Sequence, residues 1–229
     1  MTRFLGAFLL IFSLMITPTF AQKSGIIQAE KISVFITADM DFTTEPEAQS
    51  ETDYDKAICS GFVIKSFGTT QFIATAKHCV QATKGDEEGP TEIRAKTIHY
   101  FDGDVGIIKK IAMDDDYDIA ILMAHSMRKH TAQAKFNTIE SIAEPLFLFG
   151  MPSRFFWSYS SAIAMNGNVE VDRKDFGPLI QIECASCYSG NSGGGVFNSV
   201  GQVVGIMDVK GPNYSSMIAI KHLIDMLSR

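Results

Sequence analysis

Cysteine is scarce in this chain, with only Cys59, Cys79, Cys184 and Cys187 among 229 residues. Four are too few for a scaffold built on disulfides, although an even count suits an exported protein. Positive charge is also short. Lys and Arg number 20 against 26 Asp and Glu, a net charge of −6, which argues against a nucleic-acid-binding surface. After the N-terminal segment no run is apolar enough to cross a bilayer. Internal repeats and low-complexity tracts are missing, and so is any alternating strand–helix rhythm before the last quarter of the chain. What is present is a 46% hydrophobic content that can fill a core, in a length that fits one large domain or two compact ones.

The N-terminal segment has Arg3, an apolar run from Phe4 to Ile16, breakers at Thr17 and Pro18, and a small-x-small site at Thr19-Phe20-Ala21. This is the pattern of a secretory signal peptide over 1–21, too short for a comfortable membrane span. Its removal predicts a mature protein that is secreted or periplasmic, with no stable membrane insertion. Residues 22–56 are expected to hold a first strand over Ile32–Thr37 and then a solvated loop. In that loop, Asp39 to Asp55 has seven acidic residues and no basic one.

Short apolar stretches cut by turn residues follow. Strands are expected at Cys59–Lys65, Gln71–Thr75, Glu92–Phe101, Val105–Met113 and Asp118–Met123, with turns at Phe67-Gly68-Thr69-Thr70 and Asp102-Gly103. A polar crossover occupies 124–140. Strands resume at Pro145–Phe149, Trp157–Ala164, Asn168–Val171, Leu179–Glu183, Gly195–Asn198 and Gln202–Asp208. Ile220, Leu223, Ile224 and Leu227 fall at helical spacing within Ile218–Leu227. Many short strands and one terminal helix predict an all-β barrel or sandwich.

The pointed stretch is Gly190-Asn191-Ser192-Gly193-Gly194-Gly195. Glycines crowd a serine where the backbone must approach a substrate and turn its N–H groups inward. A phosphate loop would need Gly-Lys-Ser/Thr, which is absent. A serine nucleophile needs a base. Of His78, His99, His125, His130 and His222, only His78 follows an apolar strand that ends in small residues, Phe72 to Ala76. An orienting carboxylate must be buried and fixed. Asp114, Asp115, Asp116 and Asp118 are all candidates, and only Asp118 opens an apolar strand, Asp118-Ile119-Ala120-Ile121-Leu122.

These segments resemble those of the chymotrypsin-fold (trypsin-like) serine proteases: Thr75-Ala76-Lys77-His78-Cys79, Asp118-Ile119-Ala120 and Gly190-Asn191-Ser192-Gly193-Gly194, in the order His, Asp, Ser. Asn191, Phe149-Gly150-Met151-Pro152, Gly201-Gln202-Val203-Val204-Gly205-Ile206 and Ile218-Ala219-Ile220 are most similar to the bacterial HtrA-like and glutamyl-endopeptidase-like branch. The resemblance implies two antiparallel six-stranded β-barrels and a C-terminal helix within 57–229. The first barrel would lie at about 57–125, the second at about 143–216 and the helix at about 218–227. It implies a serine endopeptidase acting on polypeptides without metal or cofactor. His78 would be the general base, Asp118 its orienter and Ser192 the nucleophile, with the N–H groups of Gly190 and Ser192 as oxyanion hole. The segment after Ser192 is expected to leave no room for the PDZ domain of HtrA proteins.

Two departures from the family pattern stand out. Asn191 replaces the Asp that pairs with a freshly cut amino terminus in the animal enzymes, and Lys77 replaces a small residue. Cys59 and Cys79 match the family disulfide beside the histidine, closing a loop of about twenty residues worth roughly 3 kcal/mol. For Cys184 and Cys187 a local disulfide is the preferred reading, over a redox motif or a zinc site. Ser186 falls where the base of the substrate pocket is expected, and Asp208 on the strand beside the substrate, either biasing the cleft or bonding within it.

Two rivals remain. Residues 190–194 also read Gly-x-Ser-x-Gly, as in α/β-hydrolases, with Asp208 or Asp225 and His222 as partners, but too little chain follows for that fold. The other rival is a catalytically inactive binding or scaffold protein on the same trypsin-like fold.

Overall fold

The computed structural model describes residues 20–37, 59–82, 92–93, 95–150, 157–173, 177–184, 186–188, 190–210 and 215–229. Most of the segment read as a signal peptide, the acidic stretch 39–55 and the pair Met151-Pro152 lie outside them.

Helix α1 (Phe20–Ile32) leads into β1 (Ser33–Thr37). Then come β2 (Cys59–Phe67), β3 (Thr70–Ala76), a 3-10 turn (Lys77–Cys79), β4 (Gln81–Ala82), β5 (Glu92–Ile93), β6 (Thr97–Tyr100), β7 (Val105–Met113) and β8 (Ile119–Ser126). The second half holds β9 (Pro145–Gly150), β10 (Ser158–Ala164), β11 (Glu170–Arg173), β12 (Gly177–Glu183), β13 (Gly195–Asn198), β14 (Val203–Lys210), β15 (Ser215–Ala219) and α2 (Ile220–Ser228).

The strands form two closed antiparallel barrels. The first runs β1-β2-β3-β8-β7-β6 and is closed by β1 on β6. Full closure leaves no open sheet edge. The second runs β10-β9-β13-β14-β15-β12, closed by β10 on β12, with β11 paired outside β12. The first barrel therefore begins at Ser33. Alternation along β10 turns Ser160, Ala162 and Ala164 inward and leaves Tyr159, Ser161 and Ile163 out. By contrast β2 and β3 are buried on both faces over Cys59–Ile64 and Ile73–Ala76, because the second barrel covers the outer one. One apolar cluster runs between the barrels, joining Phe62, Ile73 and Leu122 to Phe147, Phe149 and Phe197. A second fills the other barrel with Leu146, Ile180, Val196 and Met217.

The turns at Gly68 and Gly103 fall as expected, with φ of +65° and +83°. The crossover region contains no regular strand beyond Ser126. It binds both barrels, with the N–H of Ala134 on the Val63 carbonyl and that of Asn137 on the Val203 carbonyl. Four details differ from expectation. The strand expected over Glu92–Phe101 is broken: β5 ends at Ile93 and pairs with β4 outside the barrel, and β6 starts at Thr97. Helix α1 occupies residues read as a cleavage site and the approach to a strand. It is held by docking: a Cβ on Gly25 would meet the Ser199 carbonyl at 2.7 Å, and Ala29 and Ile32 are fully buried. Residues read as opening the last helix instead complete strand β15. The strand expected at Asn168–Val171 starts at Glu170, after a turn through Gly167 with φ of +59°.

Candidate active site

Strand β3 ends at Ala76 opposite Ile119, the first residue of β8, so the next residues meet the head of β8. There the chain tightens into the 3-10 turn. The Lys77 N–H donates to the Asp118 carbonyl at 3.1 Å, and the His78 N–H donates to Asp118 Oδ1 at 2.8 Å. The His78 side chain completes the grip, with Nδ1 2.5 Å from Asp118 Oδ2. Asp118 is buried while the His78 side chain is 40% exposed, so the ring is held at one edge and open at the other. With Nδ1–H pointing at the carboxylate, Nε2 is left as the basic nitrogen. Burial works to lower the His78 pKa. The hydrogen bond and charge of Asp118 are the largest of the contributions that outweigh it and raise the pKa above the ordinary imidazole value. Burial pushes Asp118 up, but its bond to His78 and the imidazolium charge hold it below the usual carboxylate value.

Of the other aspartates, Asp114 turns inward and accepts the N–H groups of Asp116 and Tyr117. Asp115 and Asp116 stay on the outside. Lys77 is not turned loose into solvent. Its ammonium donates to the Asp114 carbonyl at 2.7 Å and braces the same turn.

The serine loop comes from the second barrel. Gly190 and Gly193 have φ of +100° and +79°, which L side chains rarely adopt. Gly193 also has no room for a side chain. A Cβ there would run into the Thr75 hydroxyl and sit 2.5 Å from the Ser60 carbonyl. The loop is tied down by N–H bonds from Asn191 to Tyr188, from Gly194 to Asn191 and from Gly193 to Met207. Among the described residues, no backbone carbonyl accepts the N–H groups of Gly190 and Ser192.

The first barrel grips this loop through Ser60. Its N–H donates to the Ser192 carbonyl at 2.8 Å, its hydroxyl to the Gly190 carbonyl at 2.6 Å, and its own carbonyl accepts the Thr75 hydroxyl at 2.8 Å. Sequence reasoning did not single out Ser60 or Thr75. Ser192 is half-buried, and its Oγ donates to the Asp208 carbonyl at 3.0 Å.

Asp208 itself is fully buried, with Oδ1 3.9 Å from His78 Nδ1. Its side chain thus lies against the imidazole and not in an open pocket. Ser186 is exposed, and its carbonyl accepts the Ser160 hydroxyl at 3.0 Å. Both cysteine pairs are disulfides, Cys59–Cys79 and Cys184–Cys187, at sequence separations of 20 and 3. The remaining histidines serve elsewhere. His99 meets the Thr37 hydroxyl, His125 that of Thr70, His130 the Asp104 carboxylate, and His222 pairs with Glu170 while stacked on Tyr117.

Metal-ligating atoms come together twice among the described residues. In one group both sulfurs of Cys59 and Cys79 are bonded to each other, which removes them as thiolate ligands. In the other, His78, Asp118 and Asp208, the imidazole nitrogen is the one already donating to Asp118.

A family described as trypsin-like peptidase domain matches residues 59–206. No curated protein matches the chain. Among solved structures, a serine endoprotease from Yersinia pestis is similar over 90% of this chain and 65% of its own length, at 15% identity and a TM-score of 0.63. At that identity the likeness carries the fold, and this chain spans about 65% of that protein's length.

Proposed function

We infer, from the premise that the chain belongs to the trypsin-like peptidase domain family, that it is a serine endopeptidase. The observation that carries this reading is the double grip of Asp118 on His78, in a barrel whose Ser60 also holds the Ser192 loop.

Ser192 Oγ would exchange the Asp208 carbonyl for His78 Nε2, lose its proton to that nitrogen and attack the substrate carbonyl. Nδ1–H stays on Asp118, whose carboxylate offsets the imidazolium charge. The N–H groups of Gly190 and Ser192 take the oxyanion. His78 then returns the proton to the leaving amine, and water repeats the cycle on the acyl-enzyme. These steps use no metal or cofactor.

Polypeptides are the substrate class that the family implies. Among the described residues no helix is long and apolar enough to cross a membrane. Export to a secreted or periplasmic location is supported by the leader pattern and by two disulfides, which persist in oxidising compartments.

A second reading, a non-catalytic binding or scaffold protein, is favoured by one feature. Ser192 Oγ rests on a carbonyl and not on the imidazole. Fluorophosphonate labelling separates the two. An enzyme labels at Ser192, and Ser192→Ala abolishes the label. A folded wild-type protein that takes no label across neutral and mildly alkaline pH would sink the peptidase reading.

A further inference from the structure

We propose that Asp208 is a positioning residue: its buried carboxyl shares a single proton with Asp118 and so holds that carboxylate, and through it the His78 imidazole, in place. This rests on the peptidase reading and adds a fourth member to the reacting array.

Asp208 sits on β14 with no exposure to solvent. Its Oδ1 is 3.9 Å from His78 Nδ1, and the ligating atoms of His78, Asp118 and Asp208 all lie within 4.8 Å of one another. Asp208 is also among the groups that act to hold the Asp118 pKa down. The titratable groups placed against Asp208 include His78 from the 3-10 turn and Asp118 from the head of β8. The nearby ammonium of Lys77 is turned away to the Asp114 carbonyl. From the Ser192 loop the serine hydroxyl reaches the backbone carbonyl of Asp208.

Two carboxyl groups this close in a dry site do not both ionise while the imidazole is neutral. One proton between them turns repulsion into a charge-assisted hydrogen bond. Asp118 already accepts two bonds from His78, so it is the anion and Asp208 the donor. The strand that carries Asp208 is itself locked to the nucleophile loop. Met207 exchanges backbone bonds with Gly193 and Gly194, and the Asp208 carbonyl receives Ser192 Oγ. Asp208 therefore touches both halves of the array, the carboxylate through its side chain and the serine through its backbone.

The sign of a pH shift tests the assignment. A carboxylate stripped of a donor accepts more strongly from the imidazolium, so His78 binds its proton more tightly. The rate of fluorophosphonate labelling against pH, measured on the full-length mature protein, reads this as the midpoint of the acid limb. Asp208→Leu and Asp208→Ala, which cannot donate, are expected to move that midpoint up by about half a unit or more. Asp208→Asn keeps a donor and is expected to bring the midpoint back toward wild type, even where the rate falls. Leu keeps the branched skeleton of the side chain, so a misfolded Ala variant leaves the comparison intact.

A downward shift in all variants would mean that Asp208 is an anion and would overturn the shared proton. An unmoved midpoint in a folded Leu or Ala variant would reduce Asp208 to packing and overturn the positioning role. Failure of the wild type to label at any pH is a different result, and it removes the peptidase reading itself.

Discussion

Ser60→Ala removes one oxygen from the contact that joins the two barrels at the Ser192 loop. Ser60 is fully buried, and its hydroxyl donates to the Gly190 carbonyl at 2.6 Å. Alanine keeps the Cβ, the N–H bond to the Ser192 carbonyl and the carbonyl that receives Thr75. Only the bond to Gly190 is lost, leaving a buried carbonyl without that donor. Such a loss costs about 1–3 kcal/mol. For a protein of this size each kcal/mol lowers the melting temperature by roughly 2–4 °C, so a fall of about 2–12 °C is expected. Reactivity should fall as well, because Gly190 is a proposed oxyanion donor and its carbonyl is no longer held. Deleting one such donor outright costs about 100- to 1,000-fold. Loosening it should cost less, on the order of tenfold in labelling rate. Thermal denaturation followed by circular dichroism measures the first effect and fluorophosphonate kinetics the second. A Ser60→Ala protein that melts and labels like wild type would refute the claim that this bond holds the loop.

The two disulfides should differ in weight. Opening Cys59–Cys79, which closes a loop of 20 residues, should cost about 3 kcal/mol in the chain-entropy model. Paired Cys→Ser variants compared by urea denaturation check this against the shorter Cys184–Cys187 loop, expected nearer about 2 kcal/mol. Acid should unfold the protein through three carboxylates. Burial opposes ionisation of Asp104, Asp118 and Glu170. Their bonds to His130, to His78 and to Lys221 and His222 respectively win and hold each below its ordinary value. A depressed folded-state pKa contributes stability that is complete above the ordinary carboxylate range and is lost as pH falls through the depressed values. The urea midpoint should therefore drop steeply below about pH 4, and a flat profile there would count against all three pairings.

The sequence made most strand positions legible because turns and alternation are local signals. Gly68 and Gly103 mark hairpin turns by themselves, and the serine loop announces itself by its glycines. Elements whose stability comes from distant contacts were not legible. Helix α1 has Gly25 and two adjacent β-branched isoleucines, Ile26 and Ile27, and so little intrinsic helix preference. It forms where Gly25 can lie against the turn at Ser199–Gly201, far along the chain. Strand β15 was missed for a related reason. All five of its residues are buried, so it shows no alternation to read.

The site divides the same way. His78, Asp118 and Ser192 stand out by their neighbours in sequence, whereas Ser60 and Thr75 are ordinary small polar residues inside apolar strands. Their importance follows from how close the two barrels come. A hydroxyl one bond from Cβ can bridge two backbones only when those backbones nearly touch. Glycine on the facing chain is what permits that approach. At Gly193 a Cβ would sit 2.5 Å from the Ser60 carbonyl, and at Gly150 it would sit 2.8 Å from the Ser60 hydroxyl. The glycines around the serine read from sequence as a means of bringing backbone to substrate. Gly193 also brings one barrel to the other. The Ser60 bonds and the Ser192 loop are thus one packing solution, in which the glycines beside the serine are the ones that allow the two barrels to close on each other.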